Sequence, residues 1–171
     1  MTSDEKVLWA QRLAESGWDS TIDPDSPAGR AQFWKTKRVS EAGAKGVAQF
    51  LKGTADDMGL DDPFDPVASM AAQEKYMKWI AGYLEPKIRH LNLSPEVKRD
   101  MALAGYNWGV GNMTNPKKID LGSEDWVSQL PGETRDYLKR IKGFMEGAPP
   151  PSSGGFQAPS LQRDWVYAGK N

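Results

Sequence analysis

Apolar residues recur at helical spacing along most of this chain, and no segment shows the alternation of apolar and polar residues that predicts a β-strand. The patterns predict helices over 4–15, 47–58, 67–84, 95–106 and 133–146, and a short helical turn over 124–129. Ser94 and Pro95 are a typical helix start, because the serine can cap the helix and the proline suits its first position. Pro86 is expected to break or kink the helix that precedes it. The sequence therefore predicts a mainly α domain.

Three stretches carry few helix signals. Residues 19–39 are rich in Asp, Pro, Ser and Gly and are predicted to form a loop. Residues 147–155 are almost entirely Pro, Gly and Ser, which predicts an exposed linker. The tail over 156–171 contains several large apolar residues, so we expect it either to fold back on the domain or to bind a protein partner. We therefore predict one domain over 1–146, followed by a linker and an extended C-terminal tail over 147–171.

Composition argues against several classes of function. The 171 residues carry a net charge of -1, so no strong overall field attracts nucleic acid or an anionic membrane. No apolar run approaches the roughly 20 residues of a spanning helix, and we expect no membrane insertion. The chain has no cysteine and one histidine, His90, and we predict neither a metal site nor an organic cofactor. Residues 1–6 lack the basic start and apolar core of a secretory signal, which predicts synthesis in a cytoplasm or a leader already removed.

Glu15 is the candidate for catalysis. It ends the first predicted helix and precedes a turn at Gly17 and Trp18. A free glutamate has a pKa near 4.3 and is ionised at neutral pH. An apolar, aromatic pocket disfavours the charge and raises the pKa to about 6. A carboxyl group in that state can deliver a proton to the leaving oxygen of a glycosidic bond, which suits a glycan-cleaving cleft.

Three further segments follow Glu15 in an order typical of one family. The four segments are Glu15-Ser16-Gly17-Trp18, Ser40 to Gln49, Ala102 to Gly111, and Glu133 to Tyr137. They resemble the motifs Glu-Ser, Ser-x-x-Gly-Ala-x-Gly-Leu-Met-Gln, Ala-Leu-Ala-x-Tyr-Asn-x-Gly-x-Gly and Glu-Thr-Arg-x-Tyr of the peptidoglycan lytic transglycosylases related to goose-type lysozyme. The resemblance covers about residues 4 to 146 and implies a lysozyme-like helical fold.

The resemblance also implies roles for five residues. Glu15 would act as the general acid and then as the base. Tyr106 would bring its hydroxyl towards the catalytic carboxyl, and Glu133 would shape the substrate cleft. Ser40 and Gln49 would contact the substrate near the cleaved bond. The residues themselves also allow plainer roles, such as a helix cap for Ser40, a surface amide for Gln49 and a carboxylate favoured at a helix N-terminus for Glu133.

The chain departs from the family pattern between Glu15 and Ser40, where the connection in the family is usually much shorter. The additional stretch holds a group of basic and aromatic residues: Arg30, Phe33, Trp34, Lys35, Lys37 and Arg38. This character is consistent with contact to the glycan, or to teichoic or peptide parts of the cell wall. It is equally consistent with an insertion that packs over the helices.

The resemblance implies that the partner is a peptidoglycan glycan strand, cut between N-acetylmuramic acid and N-acetylglucosamine with formation of 1,6-anhydro ends. A lysozyme-type hydrolase on the same fold would need a positioned water and usually a second carboxylate. The loop acids Asp19, Asp23, Asp25 and Glu41 are candidates for that carboxylate. Another alternative is a virion or secretion-apparatus component that binds the wall with weak or no activity. A plain helical interaction module, in which Glu15 is incidental, is a further alternative. The expected setting is a bacteriophage endolysin or virion-associated protein acting on the bacterial wall.

Overall fold

The computed structural model describes residues 1–149. Within that range the fold is helical, and the only β-type pairings are isolated bridges from Lys45 to Val39 and to Phe50. We number the α-helices in chain order as α1 Ser3–Ser16, α2 Pro27–Gln32, α3 Lys52–Met58, α4 Pro66–Ile88, α5 Pro95–Trp108, α6 Val110–Met113 and α7 Gly132–Met145. Short 3₁₀ helices span Phe33–Lys37, Arg89–Leu91 and Trp126–Gln129. The predicted mainly α class is confirmed.

Local signals explain most helix boundaries. The Thr2 hydroxyl accepts from the backbone N–H of Glu5, whose carboxylate in turn accepts from the N–H of Thr2, a complete capping box at the start of α1. The cap of α1 is therefore Thr2. Ser94 caps α5 through the N–H of Val97, as predicted.

Helix α5 lies at the centre of the domain. It packs against α4 and α6 on one side and against α7 on the other, and α7 also packs along α1. One apolar cluster fills the space between α4, α5 and α6, with Ile80, Leu84 and Met101 among its buried members. A second cluster joins α1 to α7 and includes Leu13, Tyr137 and Ile141. Glu15 lies at the end of α1 in this second region, so the packing of α1 on α7 determines its position.

Three sequence predictions were wrong in detail. The predicted loop over 19–39 contains α2, whose first turn is capped by the Ser26 hydroxyl, and the 3₁₀ helix after it. The helix predicted over 47–58 begins only at Lys52, because the backbone of Gln49 has a φ of 52° and cannot continue a helix.

Pro86 does not end α4, which continues to Ile88. Since the proline is the third residue from the C-terminal end, only its own bond to the carbonyl of Gly82 is lost. The helix predicted over 133–146 agrees with α7, which ends at Met145. Most of the predicted linker and the whole 156–171 tail lie outside the described residues.

Candidate active site

Glu15 occupies the last turn of α1 and is almost completely buried, with 2% of its surface exposed. Gly17 ends the helix in the left-handed conformation, with φ 74°, and its N–H donates to the carbonyl of Leu13 at 3.0 Å. A residue with a β-carbon would strain this turn, so the glycine fixes where α1 stops and where the carboxyl group lies.

Burial raises the pKa of Glu15 to about 8. The hydroxyl of Tyr137 and the positive charge of Arg140 oppose this rise, and the nearby Glu133 carboxylate adds to it. With a pKa near 8, most Glu15 side chains carry a proton at neutral pH. Glu15 Oε1 has no hydrogen-bond partner within residues 1–149, which is uncommon for a buried polar atom and typical of a functional one.

Two buried tyrosines lie in the electrostatic field of Glu15. The Glu15 charge adds to the effect of burial and holds the pKa of Tyr106 and of Tyr137 well above the ordinary value, so both phenols stay neutral. The Tyr106 hydroxyl, expected to approach the carboxyl, donates instead to the carbonyl of Ala48 at 2.7 Å. The hydroxyl that interacts with Glu15 belongs to Tyr137, although the two groups do not form a hydrogen bond of normal geometry.

A buried polar chain supports Glu15 from the side of α4. Arg12 Nη1 donates to Gln73 Oε1 at 2.8 Å, and Gln73 Nε2 donates to Gln11 Oε1 at 2.7 Å. Gln11 lies one helical turn before Glu15 and also acts on the Tyr137 hydroxyl. Arg12 is 7% exposed, and burial lowers its pKa to about 10. The chain of contacts therefore runs from α4 through α1 to the hydroxyl that faces Glu15.

Four residues around Glu15 were not predicted from the sequence as part of the site: Gln11, Arg12, Gln73 and Arg140. One signal was available for two of them. Gln11 and Arg12 are polar residues at positions that the helical pattern of α1 places next to buried Leu13 and Ala14. Polar residues at core positions indicate an internal network. Gln73 and Arg140 carry no comparable local signal.

The segment from Ser40 to Gln49 folds into a compact irregular turn. Gly46 has a φ of 76°, and a β-carbon there would collide with the carbonyl oxygen of Pro63, so only glycine fits. Gln49 is 1% exposed, and its Nε2 donates to the Gly46 carbonyl at 2.8 Å. The Ser40 hydroxyl accepts from the N–H of Ala44 at 3.0 Å. These contacts give both side chains a role within the turn, whatever they contact in a substrate.

Of the five predicted site residues, the structure brings three into electrostatic contact. The Glu133 carboxylate, in the first turn of α7, raises the pKa of Glu15. The Glu15 charge in turn raises the pKa of Tyr106, on α5. Gln49 is connected to this group through its neighbour Ala48, whose carbonyl accepts the hydrogen bond of the Tyr106 hydroxyl. Ser40 is half-buried at the far end of the turn.

The insertion between Glu15 and Ser40 is attached to the end of α1. Lys35 Nζ donates to the carbonyl of Gly17 at 2.7 Å, and Arg38 Nη1 donates to the carbonyl of Ser16 at 3.1 Å. Gln32 makes a paired contact with the backbone of Asp19, accepting from its N–H at 2.9 Å and donating to its carbonyl at 2.7 Å. The insertion therefore supplies donors to backbone carbonyls that follow Glu15.

Residues 32–128 match the family model of the transglycosylase SLT domain. The matched range contains Ser40, Gln49 and Tyr106, while Glu15 and Glu133 lie outside it.

Similar curated proteins include the membrane-bound lytic murein transglycosylase F of Pseudomonas fluorescens (strain Pf-5), 28% identical over 155 residues that cover 85% of this chain and 28% of that protein. The protein of the same name from Haemophilus influenzae (strain PittGG) is 28% identical over 123 residues, covering 67% of this chain and 24% of that protein. In Pasteurella multocida the corresponding protein is 27% identical over 123 residues.

The chain thus spans about a quarter of the length of these relatives. No solved structure matches the chain significantly. Among residues 1–149, none of the helices combines the length and the apolar character needed to cross a membrane.

Proposed function

Because this chain belongs to the transglycosylase SLT domain family, we propose that it is a peptidoglycan lytic transglycosylase with Glu15 as its general acid and base. The observation that carries the proposal is the burial of the Glu15 carboxyl group, which is 2% exposed and whose pKa is raised to about 8 by that burial. A proton donor for a glycosidic oxygen must hold its proton near neutral pH, and an exposed glutamate does not.

The reaction needs one protein carboxyl. Glu15 donates its proton to the oxygen that leaves from C1 of N-acetylmuramic acid, and the C1–O bond breaks. The acetamido group of the same sugar assists the departure from the opposite face. Glu15, now a carboxylate, takes the proton of the 6-hydroxyl as that oxygen bonds to C1. The products are a 1,6-anhydromuramic end and a free N-acetylglucosamine 4-hydroxyl, with no water consumed.

The surroundings of Glu15 support both halves of this cycle. Burial favours the neutral acid before cleavage, and the positive charge of Arg140 favours the carboxylate after it. The pKa values of Tyr106 and Tyr137 are held well above the ordinary value, so both phenols keep their protons and neither competes with Glu15 as an acid near neutral pH. The catalytic help available to such a positioned group is about a hundred- to ten-thousand-fold.

The hydrolase alternative requires a second carboxylate near Glu15, and we propose Glu133 for that role. Its carboxylate is near enough to raise the pKa of Glu15. Asp19 is instead held by Trp9 Nε1 at 2.8 Å and by the Thr21 hydroxyl at 2.6 Å, and Glu41 is exposed. A hydrolase on this framework would therefore depend on Glu133 and would produce reducing muramic ends.

Mass spectrometry of products from purified peptidoglycan tests the proposal. We expect anhydro-muropeptides from the wild-type protein and none from Glu15→Gln. Products one water heavier, lost in Glu133→Gln, would establish the hydrolase instead. An absence of products from the wild-type protein would contradict both reactions and favour a wall-binding role.

The biological setting is a finer proposal, which rests on the sequence interpretation alone. A role in bacteriophage lysis predicts a holin gene next to this one, and a role in virion entry predicts tail genes. Chromosomal pilus or secretion genes on both sides would contradict the phage assignment.

A further inference from the structure

Positive charge is concentrated in one short part of the chain. Residues 30–45 contain five cations and one carboxylate, whereas the whole chain has a net charge of -1. Three of the large hydrophobic residues exposed within residues 1–149 lie in the same stretch: Phe33, Trp34 and Val39, at 59%, 51% and 54%. We call the side chains of Phe33, Trp34, Lys37, Val39 and Lys45 the basic–aromatic surface.

The backbone that carries this surface is held against the rest of the domain. Gln32 and Thr36 are buried, and Lys35 binds the end of α1, while the intervening Phe33 and Trp34 face solvent. Further along, the antiparallel bridge from Val39 to Lys45 ties the segment to the turn that contains Gln49. The exposed side chains therefore project from a fixed support, which favours a binding role over a loose loop.

The cations of the surface lack anionic partners in the described part of the chain. Lys37 Nζ and Lys45 Nζ lie 5.4 Å and 5.8 Å from the centre of the Phe64 ring, and neither forms an ion pair within residues 1–149. The Arg38 guanidinium lies 5.8 Å from the centre of the Trp34 ring. Exposed aromatic faces beside such cations suit a ligand that has both flat sugar faces and carboxylates.

The segment that carries this surface is also connected to the proposed active site through Arg38. Arg38 donates from its side chain to the carbonyl of Ser16, next to Glu15. Its own carbonyl accepts from the N–H of Gly46 at 2.8 Å, within the turn that holds Gln49. Arg38 therefore fixes the segment that carries this surface to the residue next to Glu15 and to the turn that holds Gln49.

We propose that the basic–aromatic surface binds the peptide-bearing glycan strand, with Trp34 and Phe33 against sugar rings and Lys37 and Lys45 against the carboxylates of the stem peptides. This inference rests on the proposed function, because it names the part of the same substrate that lies beyond the cleaved bond. It assigns to the insertion a preference for peptide-substituted over uncharged glycan.

Binding is best measured in a Glu15→Gln background, by cosedimentation with insoluble peptidoglycan sacculi that the protein does not digest. Two forms of sacculus are compared, one untreated and one whose peptide carboxylates have been converted to neutral amides. Exposed cation–carboxylate pairs contribute modestly, so we expect Lys37→Gln/Lys45→Gln to bind untreated sacculi about three- to tenfold more weakly. Its binding to amidated sacculi is expected to equal that of the parent.

Trp34→Ala is expected to weaken binding to both forms by about fivefold, because the contact with the sugar face does not depend on charge. The matched controls are Lys6→Gln/Lys117→Gln and Val67→Ala, which remove exposed cations and an exposed apolar side chain elsewhere. The side chains substituted in addition to Glu15 are exposed or half-buried, and thermal unfolding followed by circular dichroism checks that each variant is folded.

Binding by the lysine and tryptophan variants that equals the controls would overturn the inference. Loss of binding to anionic phosphatidylglycerol vesicles, with sacculus binding unchanged, would also overturn it and assign the surface to a membrane. The proposed function is tested separately, by product analysis with Glu15 intact. A protein that binds sacculi through this surface but yields no products would refute the activity and leave the inference standing.

Discussion

The interior has two regions of opposite chemical character. Between α4 and α5, Phe50, Tyr76 and Tyr106 form a compact aromatic group with ring centres 5.1 to 6.1 Å apart, surrounded by aliphatic side chains. Around the end of α1, Gln11, Arg12 and Glu15 are equally buried but polar. Apolar burial stabilises a fold, whereas buried polar groups must be held by partners or reduce its stability. The contrast indicates that most of the apolar packing and the buried carboxyl group lie in different parts of one interior, which meet at Tyr106.

The largest expected effect comes from removing the reactive group. Glu15→Gln should lower the rate of peptidoglycan cleavage by about a hundred- to ten-thousand-fold, because the amide is too weak an acid to transfer a proton to the leaving oxygen. Release of soluble fragments from sacculi measures the rate. Since the buried side chain is already neutral near pH 7, the unfolding temperature should not fall. Retention of more than a tenth of the activity would exclude Glu15 as the acid.

The matched change in the apolar region is Ile80→Ala. Ile80 is fully buried, and its truncation should lower the free energy of unfolding by about 2–5 kcal/mol through lost contacts and a residual cavity. Urea denaturation measures this loss. Cleavage per folded molecule should remain within about twofold at low temperature. A fall in activity comparable to that of Glu15→Gln would show that the two regions are not separate.

The pH dependence of stability should reveal the raised pKa of Glu15 in the polar region. The pKa of Glu15 rises from about 4.5 in the unfolded chain to about 8 in the folded one, so the folded protein binds more protons in between. Stability should therefore fall as pH rises from about 4.5 to 8 and then level off. The contribution is on the order of a few kcal/mol. Denaturation of wild type and Glu15→Gln across this range measures it, and parallel curves for the two proteins would contradict the raised pKa.

The smallest effect is expected from Tyr137→Phe. The hydroxyl lacks a hydrogen bond of normal geometry, so its removal should change the free energy of unfolding by no more than about 1 kcal/mol. Because this hydroxyl lowers the pKa of Glu15, the variant should have a higher Glu15 pKa, and the alkaline limb of its pH–activity profile should move to higher pH. A shift downwards would show that Tyr137 does not stabilise the carboxylate.

Sequence reasoning identified the parts of the fold that local signals determine. Ser94 with Pro95, and the apolar spacing of α1 and α7, depend on neighbours in the chain, and those helices lie where predicted. The same reasoning failed where Asp, Pro and Ser were taken only as turn residues. In α2 the pair Ser26 and Pro27 is a cap and a first helical residue, the signal that was recognised at Ser94.

The candidate site was predictable only in part. The motif order pointed to Glu15, but the partners of its carboxyl depend on how α1 packs against α7. Tyr137 therefore went unassigned although it lies in a segment that was quoted, and the hydrogen bond that the Tyr106 hydroxyl donates to Ala48 was not foreseen. The positive φ of Gln49 could not be foreseen either, because a glutamine carries no local signal for the left-handed conformation.

The attachment of Lys35 and Arg38 to the last carbonyls of α1 has a consequence for any attempt to shorten this protein. The connection between Glu15 and Ser40 is longer than is usual in the family, so it could be taken for an insertion that can be removed. Removing this connection would remove the hydrogen bonds that Lys35 and Arg38 donate to the carbonyls of Gly17 and Ser16. We expect the shortened protein to lose the correct position of the Glu15 carboxyl group before it loses its fold. A minimal version has to retain these two side chains or replace them with another source of hydrogen bonds.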